Sequence, residues 1–209
     1  MGNLSGLSSL PNLIHLYLAD NCIAEIDGCF PIFTDNSLLN EAKADHKKNT
    51  NPSSVDQQET RTTFQKLETL DLSNNGLMTT RGFLISNPTP VPLFPRLRTL
   101  LLARNSLSSV SDLAHFSCLE SLDLSDNRKL QPPDQQQPRE DLDSKPLPLP
   151  CSLLYLRLSG SGVPGSLPQY RKRLMLAFPK LSFLDEMPVS DDERRLALAW
   201  YVHLARKKW

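Results

Sequence analysis

The apolar positions of this chain fall into one spacing that recurs along its length. Leu13, Leu16, Leu18 and Ile23, with Asn21 between the last two, set the pattern LxxLxLxxNxL. It returns as Leu67-Leu70-Leu72-Asn75-Leu77 and again as Leu97-Leu100-Leu102-Asn105-Leu107. A fourth copy, Leu119-Leu122-Leu124-Asn127, finds its last apolar residue at Leu130, one position later than expected. A fifth, Leu153-Leu156-Leu158, carries Ser161 in the Asn position and Val163 after it. Leu181 and Leu184 open a sixth that is not completed. A pattern repeated at fixed internal spacing decides the fold before any other signal is weighed.

The spacing has a physical reason. The fourth and sixth motif positions alternate with polar residues, so a short strand turns both leucines inward and the residues between them outward. The Asn then turns the chain out of the strand, and its buried amide has to satisfy the backbone groups that the bend leaves bare. Stacked copies pair these strands into a curved parallel sheet, each coil covering the apolar face of the next. The fold class predicted is α/β: a solenoid with strands near 14–18, 68–72, 98–102, 120–124 and 154–158 on its concave side. Its return arcs are irregular, 3-10 or helical, and a helix begins at about residue 190.

The distances between motif starts locate insertions. Leu97 and Leu119 stand 22 residues apart, and Leu107, Val110, Leu113 and Phe116 fill that return arc at every third residue. The other intervals are longer, and every excess lies between the end of one strand motif and the start of the next. Polar insertions are therefore expected near 31–63, 86–95 and 131–150, all on the return side. The first is mixed in charge and almost free of aromatic residues, a composition that cannot bury a core, with a short helix predicted over Ser37 to Lys48. The second is Pro-rich and expected to be extended. The third is rich in Pro and Gln. The domain organisation expected is a solenoid over 1–189 and a C-terminal capping helix over 190–209. In that helix Ser190-Asp191-Asp192-Glu193 forms a capping box, and Leu196, Trp200 and Leu204 form an apolar stripe expected to shield the last coil.

On these motifs the chain resembles the leucine-rich-repeat superfamily in its short, 22-residue intracellular class. Tyr170-Arg171, the run Phe178-Pro179-Lys180-Leu181-Ser182-Phe183-Leu184-Asp185, Pro188-Val189 and Glu193-Arg194 are similar to the motif that closes such solenoids. Similar caps occur in a leucine-rich light chain of axonemal dynein, in ciliary dynein-assembly factors and in a spliceosomal particle subunit. The run DEMPVSDDERRLALAW looks most like the ciliary group. The resemblance covers about two thirds of the chain and departs from the family pattern at the insertions, at Ser161, and at a first repeat that opens mid-coil. Leu4, Leu7 and Leu10 look like the return arc of a preceding repeat. What the resemblance implies is a scaffold subunit or assembly subunit of a large complex, cytoplasmic and within that the cilium or flagellar axoneme. A subunit steering an enzyme such as a phosphatase, and an RNA-particle subunit, stay open as alternatives.

Composition narrows the chemistry. Lysines plus arginines number 23 and so do the acids, giving zero formal net charge, so no global field favours nucleic acid or an anionic membrane. No apolar run reaches the roughly 18 residues that span a bilayer, and the N-terminus lacks the layout of a secretory signal. Cys22, Cys29, Cys118 and Cys151 form no metal-binding pair and are expected as reduced thiols. There is no phosphate-binding glycine loop, nucleophile elbow or metalloprotease motif, and the four histidines share no ligand spacing. We therefore expect no enzyme, no cofactor, no metal and no small-molecule substrate.

What the repeat does present is a surface. Its outward strand and turn positions carry Tyr17 and Asp20 in the first copy, Glu68 and Asp71 in the second, and Arg98, Leu101 and Arg104 in the third. The fourth adds Asp123 and Asp126 beside Glu120, and the fifth Tyr155 and Arg157 beside Leu154. Acids outnumber arginines on this face, and Tyr17, Leu101, Leu154 and Tyr155 are expected as exposed anchors. The expected partner is a protein with basic segments, docked on the concave sheet, with no direct nucleic acid and no membrane.

Overall fold

Every copy of the motif places a strand at its two alternating leucines. In the computed structural model, which describes residues 10, 12–26, 64–86, 89–132 and 146–207, the strands in chain order are β1 (His15–Tyr17), β2 (Thr69–Asp71), β3 (Leu84–Ser86), β4 (Pro90–Pro92), β5 (Thr99–Leu101), β6 (Ser121–Asp123), β7 (Tyr155–Arg157), β8 (Phe183–Leu184) and β9 (Met187–Pro188). Seven of them form one sheet in the order β1-β2-β5-β6-β7-β8-β9. All pairings are parallel from β1 to β8. The sixth copy, incomplete in sequence, still contributes the two-residue strand β8.

Register follows the motif. Leu16, Leu70, Leu100, Leu122, Leu156 and Leu184 stand opposite one another across the sheet. All six are buried, as are Leu72, Leu102, Leu124 and Leu158 two positions on, whereas Leu18 in the first coil is only half-buried. Their neighbours along each strand point the other way and stay open. The same alternation therefore builds the core and lays out the outer face.

The return side is irregular, as the intervals required. Its described pieces include a 3-10 turn at Ser111–His115, a helical turn α1 (Val163–Ser166) and helix α2 (Tyr170–Ala177). The Pro-rich insertion expected at 86–95 is extended over β4, and it is also paired, β3 and β4 forming an antiparallel hairpin. The flanks of that insertion hold it down: Phe83 and Phe94 are fully buried, and the Phe83 ring meets Phe94 at 6.1 Å and Phe116 at 6.2 Å. Pro90 and Pro92 have no N–H to donate, which suits them to an edge strand. The insertion predicted at 31–63, its helix at Ser37 to Lys48, and Leu4 and Leu7 lie outside the described residues, as does most of the insertion at 131–150.

Past the last full coil, β8 turns antiparallel into β9 and leads to helix α3 (Asp191–Lys207), which packs on α2. The capping box is present. The Glu193 N–H donates to Ser190 Oγ at 3.2 Å, and the Ser190 N–H donates to Glu193 Oε2 at 3.4 Å. The expected shielding stripe is wrong at one end, however. Leu196 is 66% exposed, and the fully buried position is Ala197. Two helices pack closely where a small residue faces the neighbour, so the alanine marks the seam and rotates Leu196 into solvent. Among the described residues no helix is long and apolar enough to cross a membrane.

Candidate partner-binding face

The outer face is fixed by how each coil leaves its strand. Asp20, Asn74, Arg104 and Asp126 stand seven residues after the first leucine of their repeats, and all adopt left-handed backbone with φ between 51° and 58°. Non-glycine residues are uncommon there, and Asn and Asp tolerate it best. Gly160 occupies the position in the fifth repeat at φ 72°, where an added Cβ would lie 2.2 Å from Asp126 Oδ1. These sharp exits send the chain from the sheet to the Asn of the motif.

The asparagines then stitch coil to coil. Asn105 Nδ2 donates to the carbonyls of Leu72, Leu102 and Ala103, while its Oδ1 accepts the Leu77 N–H at 3.0 Å. Asn127 repeats this with Leu102, Leu124, Ser125 and the Leu107 N–H, and Asn75 with Leu18, Leu72, Ser73 and the Ile23 N–H. Each carboxamide serves its own coil and the one before, so the strand positions stay in line. Ser161 breaks the series without leaving a gap. In the fourth repeat the N–H two residues after the Asn belongs to the exposed Lys129, and the buried Leu130, slipped one place later, bonds the Asn127 carbonyl within its own coil at 2.9 Å. The slip also brings the Leu130 carbonyl against Gly162, where a Cβ would sit 2.6 Å away. The one-residue slip, the missing Asn and the glycine are thus one local adjustment.

On this frame the outward side chains form rows. Tyr17, Asp71, Leu101, Asp123 and Arg157 are opposite one another in register, and His15, Thr69, Thr99, Ser121, Tyr155 and Phe183 form a second row. The eleven residues expected on this face sit on the strands or at their ends. Tyr17 is 67% exposed and Tyr155 47%. Leu101 and Leu154 are half-buried rather than exposed, flanked by their polar neighbours in the adjacent strands.

Charge on the face is less free than its sequence implies. Arg98 pairs with Glu120 at 2.9 Å, Arg104 with Asp126 at 3.7 Å, and Arg157 with Asp123 at 3.5 Å and also with Glu186. Exposed pairs of this kind contribute little stability, about 0–1 kcal/mol each. Their consequence is electrostatic: all three arginines of the face are spoken for. Asp20, Glu68 and Asp71 have no ion-pair partner among the described residues. Asp20 accepts from Asn74 Nδ2 at 2.5 Å, and Asp71 accepts the Ser73 N–H at 2.9 Å. Among the described residues, the acid excess without an ion-pair partner therefore lies in the first two repeats.

At the far end the sequence pattern had passed over two residues. Phe183 stacks on Tyr155 with ring centroids 5.1 Å apart and planes at 12°, and Met187 beyond it is 60% exposed. Phe183 stands two residues after Leu181, as Tyr155 does after Leu153, so carrying the motif one copy further would have found it.

The closing segment is held by charged groups. Tyr170 Oη donates to Asp185 Oδ2 at 2.5 Å, and Asp185 Oδ1 accepts the N–H groups of Leu158 and Ser159. Burial first, and then the bond to the Asp185 carboxylate, push the phenol well above its usual range. Arg171 grips Glu193 through two bonds at 2.9 and 3.0 Å and donates to the Leu184 and Pro188 carbonyls. That paired hydrogen bond raises the guanidinium and holds Glu193 below the usual carboxylate value. Arg194 donates to the carbonyls of Met175 and Leu181. These are the residues of the family-like closing motif, and each has a mechanical task here. A cavity of about 300 Å³ opens beside them, lined by Tyr170, Arg171, Lys172, Met175 and Leu196 among others. Its charged groups are already bonded or, for Lys172, set over the Trp200 ring at 5.6 Å.

Comparison with known proteins agrees with the repeat. The family model described as Leucine Rich repeats (2 copies) matches residues 95–135, and the Leucine Rich Repeat model matches residues 66–88. A Dynein axonemal assembly factor 1 homolog of Drosophila erecta is 40% identical over 111 residues, 52% of this chain and 7% of that protein. Leucine-rich repeat-containing protein ODA7 of Chlamydomonas reinhardtii is 36% identical over 95 residues, 46% of this chain and 20% of that protein. A chain in the crystal structure of the Drosophila melanogaster SNF/U2A' complex is 27% identical, with a TM-score of 0.45, covering 65% of this chain and 69% of that one. The chain spans a small fraction of the length of the curated relatives it matches.

Proposed function

Starting from a leucine-rich-repeat protein similar to dynein axonemal assembly factors, we propose that this chain is a non-enzymatic scaffold that helps assemble axonemal dynein in the cytoplasm of ciliated or flagellated cells. The observation that carries this reading is the 40% identity to a dynein axonemal assembly factor homolog over 111 residues. The geometry supports the coarser half of it. A row of exposed side chains on a rigid parallel sheet suits contact with another protein, and the exposed tyrosines are typical interface anchors. The partner is a protein that brings basic groups to the acids of the concave face, and it needs neither a cofactor nor a small-molecule substrate. Rim charges of this kind set the rate and salt sensitivity of association, while the anchors set release.

The test is to remove the protein from a ciliated cell and restore it as a tagged copy. Axonemal cross-sections viewed by electron microscopy are expected to lose dynein arms on removal and regain them on restoration, with the tag in the cytoplasm. Normal arms in its absence would overturn the assignment.

A further inference from the structure

The concave face has two ends of different chemistry, and the difference assigns a direction to whatever lies across it. At the first two repeats Tyr17 is 67% exposed and stands opposite Asp71 in strand register, with Asp20 and Glu68 nearby and none of the three acids ion-paired among the described residues. An aromatic face beside a carboxylate is the arrangement that receives an arginine or lysine head, through the ring quadrupole and the charge together. The middle of the face differs. There Arg98, Arg104 and Arg157 are already matched to Glu120, Asp126 and Asp123. At the fifth repeat and beyond, the stacked Tyr155–Phe183 pair and Met187 make an open apolar platform, and Arg157 and Glu186, on the strand and turn that carry Tyr155 and Met187, pair with each other.

Building on the concave-face reading above, we propose that the face takes one continuous segment of a partner protein in a fixed orientation. The segment's basic end sits at Tyr17, Glu68 and Asp71, and its apolar or aromatic end on Tyr155, Phe183 and Met187. From β1 to β8 there are five strand spacings of about 4.8 Å, so the two ends lie roughly 24 Å apart. An α-helix of about 16 residues covers that distance. Reversing the segment would bring a cation to an apolar platform and an apolar side chain to unpaired carboxylates, and both would lose their compensation on leaving water. Orientation is thereby selected by desolvation as much as by attraction.

The probe is a synthetic 16-residue helical peptide with arginines in its first third, leucine and tryptophan in its last third, and a photoreactive group at its arginine end. The full chain is cross-linked to it, and affinity is measured by fluorescence anisotropy. Labelling within residues 12–26 and 64–86 is expected. Glu68→Gln should weaken binding about tenfold or more without changing the melting temperature, since its side chain is exposed, and Tyr155→Ala should weaken binding to a similar extent with a small fall in melting temperature from the lost stack on Phe183. Cross-links at the fifth repeat, or equal labelling at both ends, would reject the fixed orientation while leaving the concave site standing. Labelling confined to the return side would reject the concave site itself, and absence of binding would reject the proposed partner chemistry.

Discussion

The inner coils and the closing segment solve the same problem with different chemistry. Both must satisfy backbone groups that the strand exits leave bare. In the inner coils neutral carboxamides do it: Asn105 and Asn127 are buried, and each serves two coils at once. Past β8 the chain turns antiparallel into β9 and then into α3, and charged side chains take over. The Asp185 carboxylate holds the Leu158 and Ser159 N–H groups, and Arg171 and Arg194 hold carbonyls. A neutral amide suits a dry interior because it completes its bonds without a buried charge. A carboxylate or guanidinium suits a half-exposed closure, where water shares the cost and the bonds to it are stronger. The interior should therefore be indifferent to pH and salt, and the closure should not.

The interior should also yield the largest losses. Leu122 is 1% exposed in the centre of the sheet, so Leu122→Ala is expected to cost about 2–5 kcal/mol in urea unfolding, through lost burial and the cavity left behind. Asn127→Ala removes the acceptor of the Leu107 N–H and should cost about 1–3 kcal/mol for that buried group alone, equally at pH 5 and pH 8. Ser161→Ala, at the corresponding place in the fifth repeat, should cost less, because its hydroxyl accepts the Val163 N–H of its own coil at a long 3.3 Å and bridges no carbonyls between coils. If the two losses were equal, the account of the slip would be wrong.

The closure answers to pH. Glu193 is held below the usual carboxylate value by Arg171, so its contribution is complete above the unfolded carboxylate pKa of about 4.3 and disappears as pH falls through the lower folded value. The stability difference between the chain and its Glu193→Gln variant should therefore be constant from neutral pH down to about 5 and shrink below 4. Both groups are partly exposed, so the difference is expected to stay under about 1 kcal/mol. A difference that grew on acidification would contradict the role assigned to this pair.

Much of this was legible in the sequence because the repeat forces it. Alternating leucines name the strands, and the Asn positions name the ladder. The strand spans expected near 14–18, 68–72, 98–102, 120–124 and 154–158 each contain the observed strand. The misses share a cause, which is that pattern does not carry rotation or pairing. Leu196 fits a helical stripe, yet Ala197 makes the seam, because the neighbour α2 decides which face of α3 is inward. The hairpin between Phe83 and Phe94 depends on buried rings from separate segments, and composition saw only the prolines between them. On the outer face, the repeat spacing placed the eleven expected residues on or just beside the strands, but it did not carry their bonds. The excess of acids was visible, whereas its restriction to Asp20, Glu68 and Asp71 required knowing which carboxylates the three arginines had taken.

The central proposal is that this face meets a basic partner through those acids, which have no ion-pair partner among the described residues. Its most direct test is the association rate between the purified chain and its purified cellular partner, measured by stopped flow across ionic strength, for the native chain and for Glu68→Lys. Charges in contact are screened over about 8 Å at physiological salt, so their effect should appear as a salt-dependent rate. The account predicts a rate for the native chain that falls steeply as salt rises, and a slower rate with a flatter slope for the variant. Equal slopes for the two proteins would contradict it.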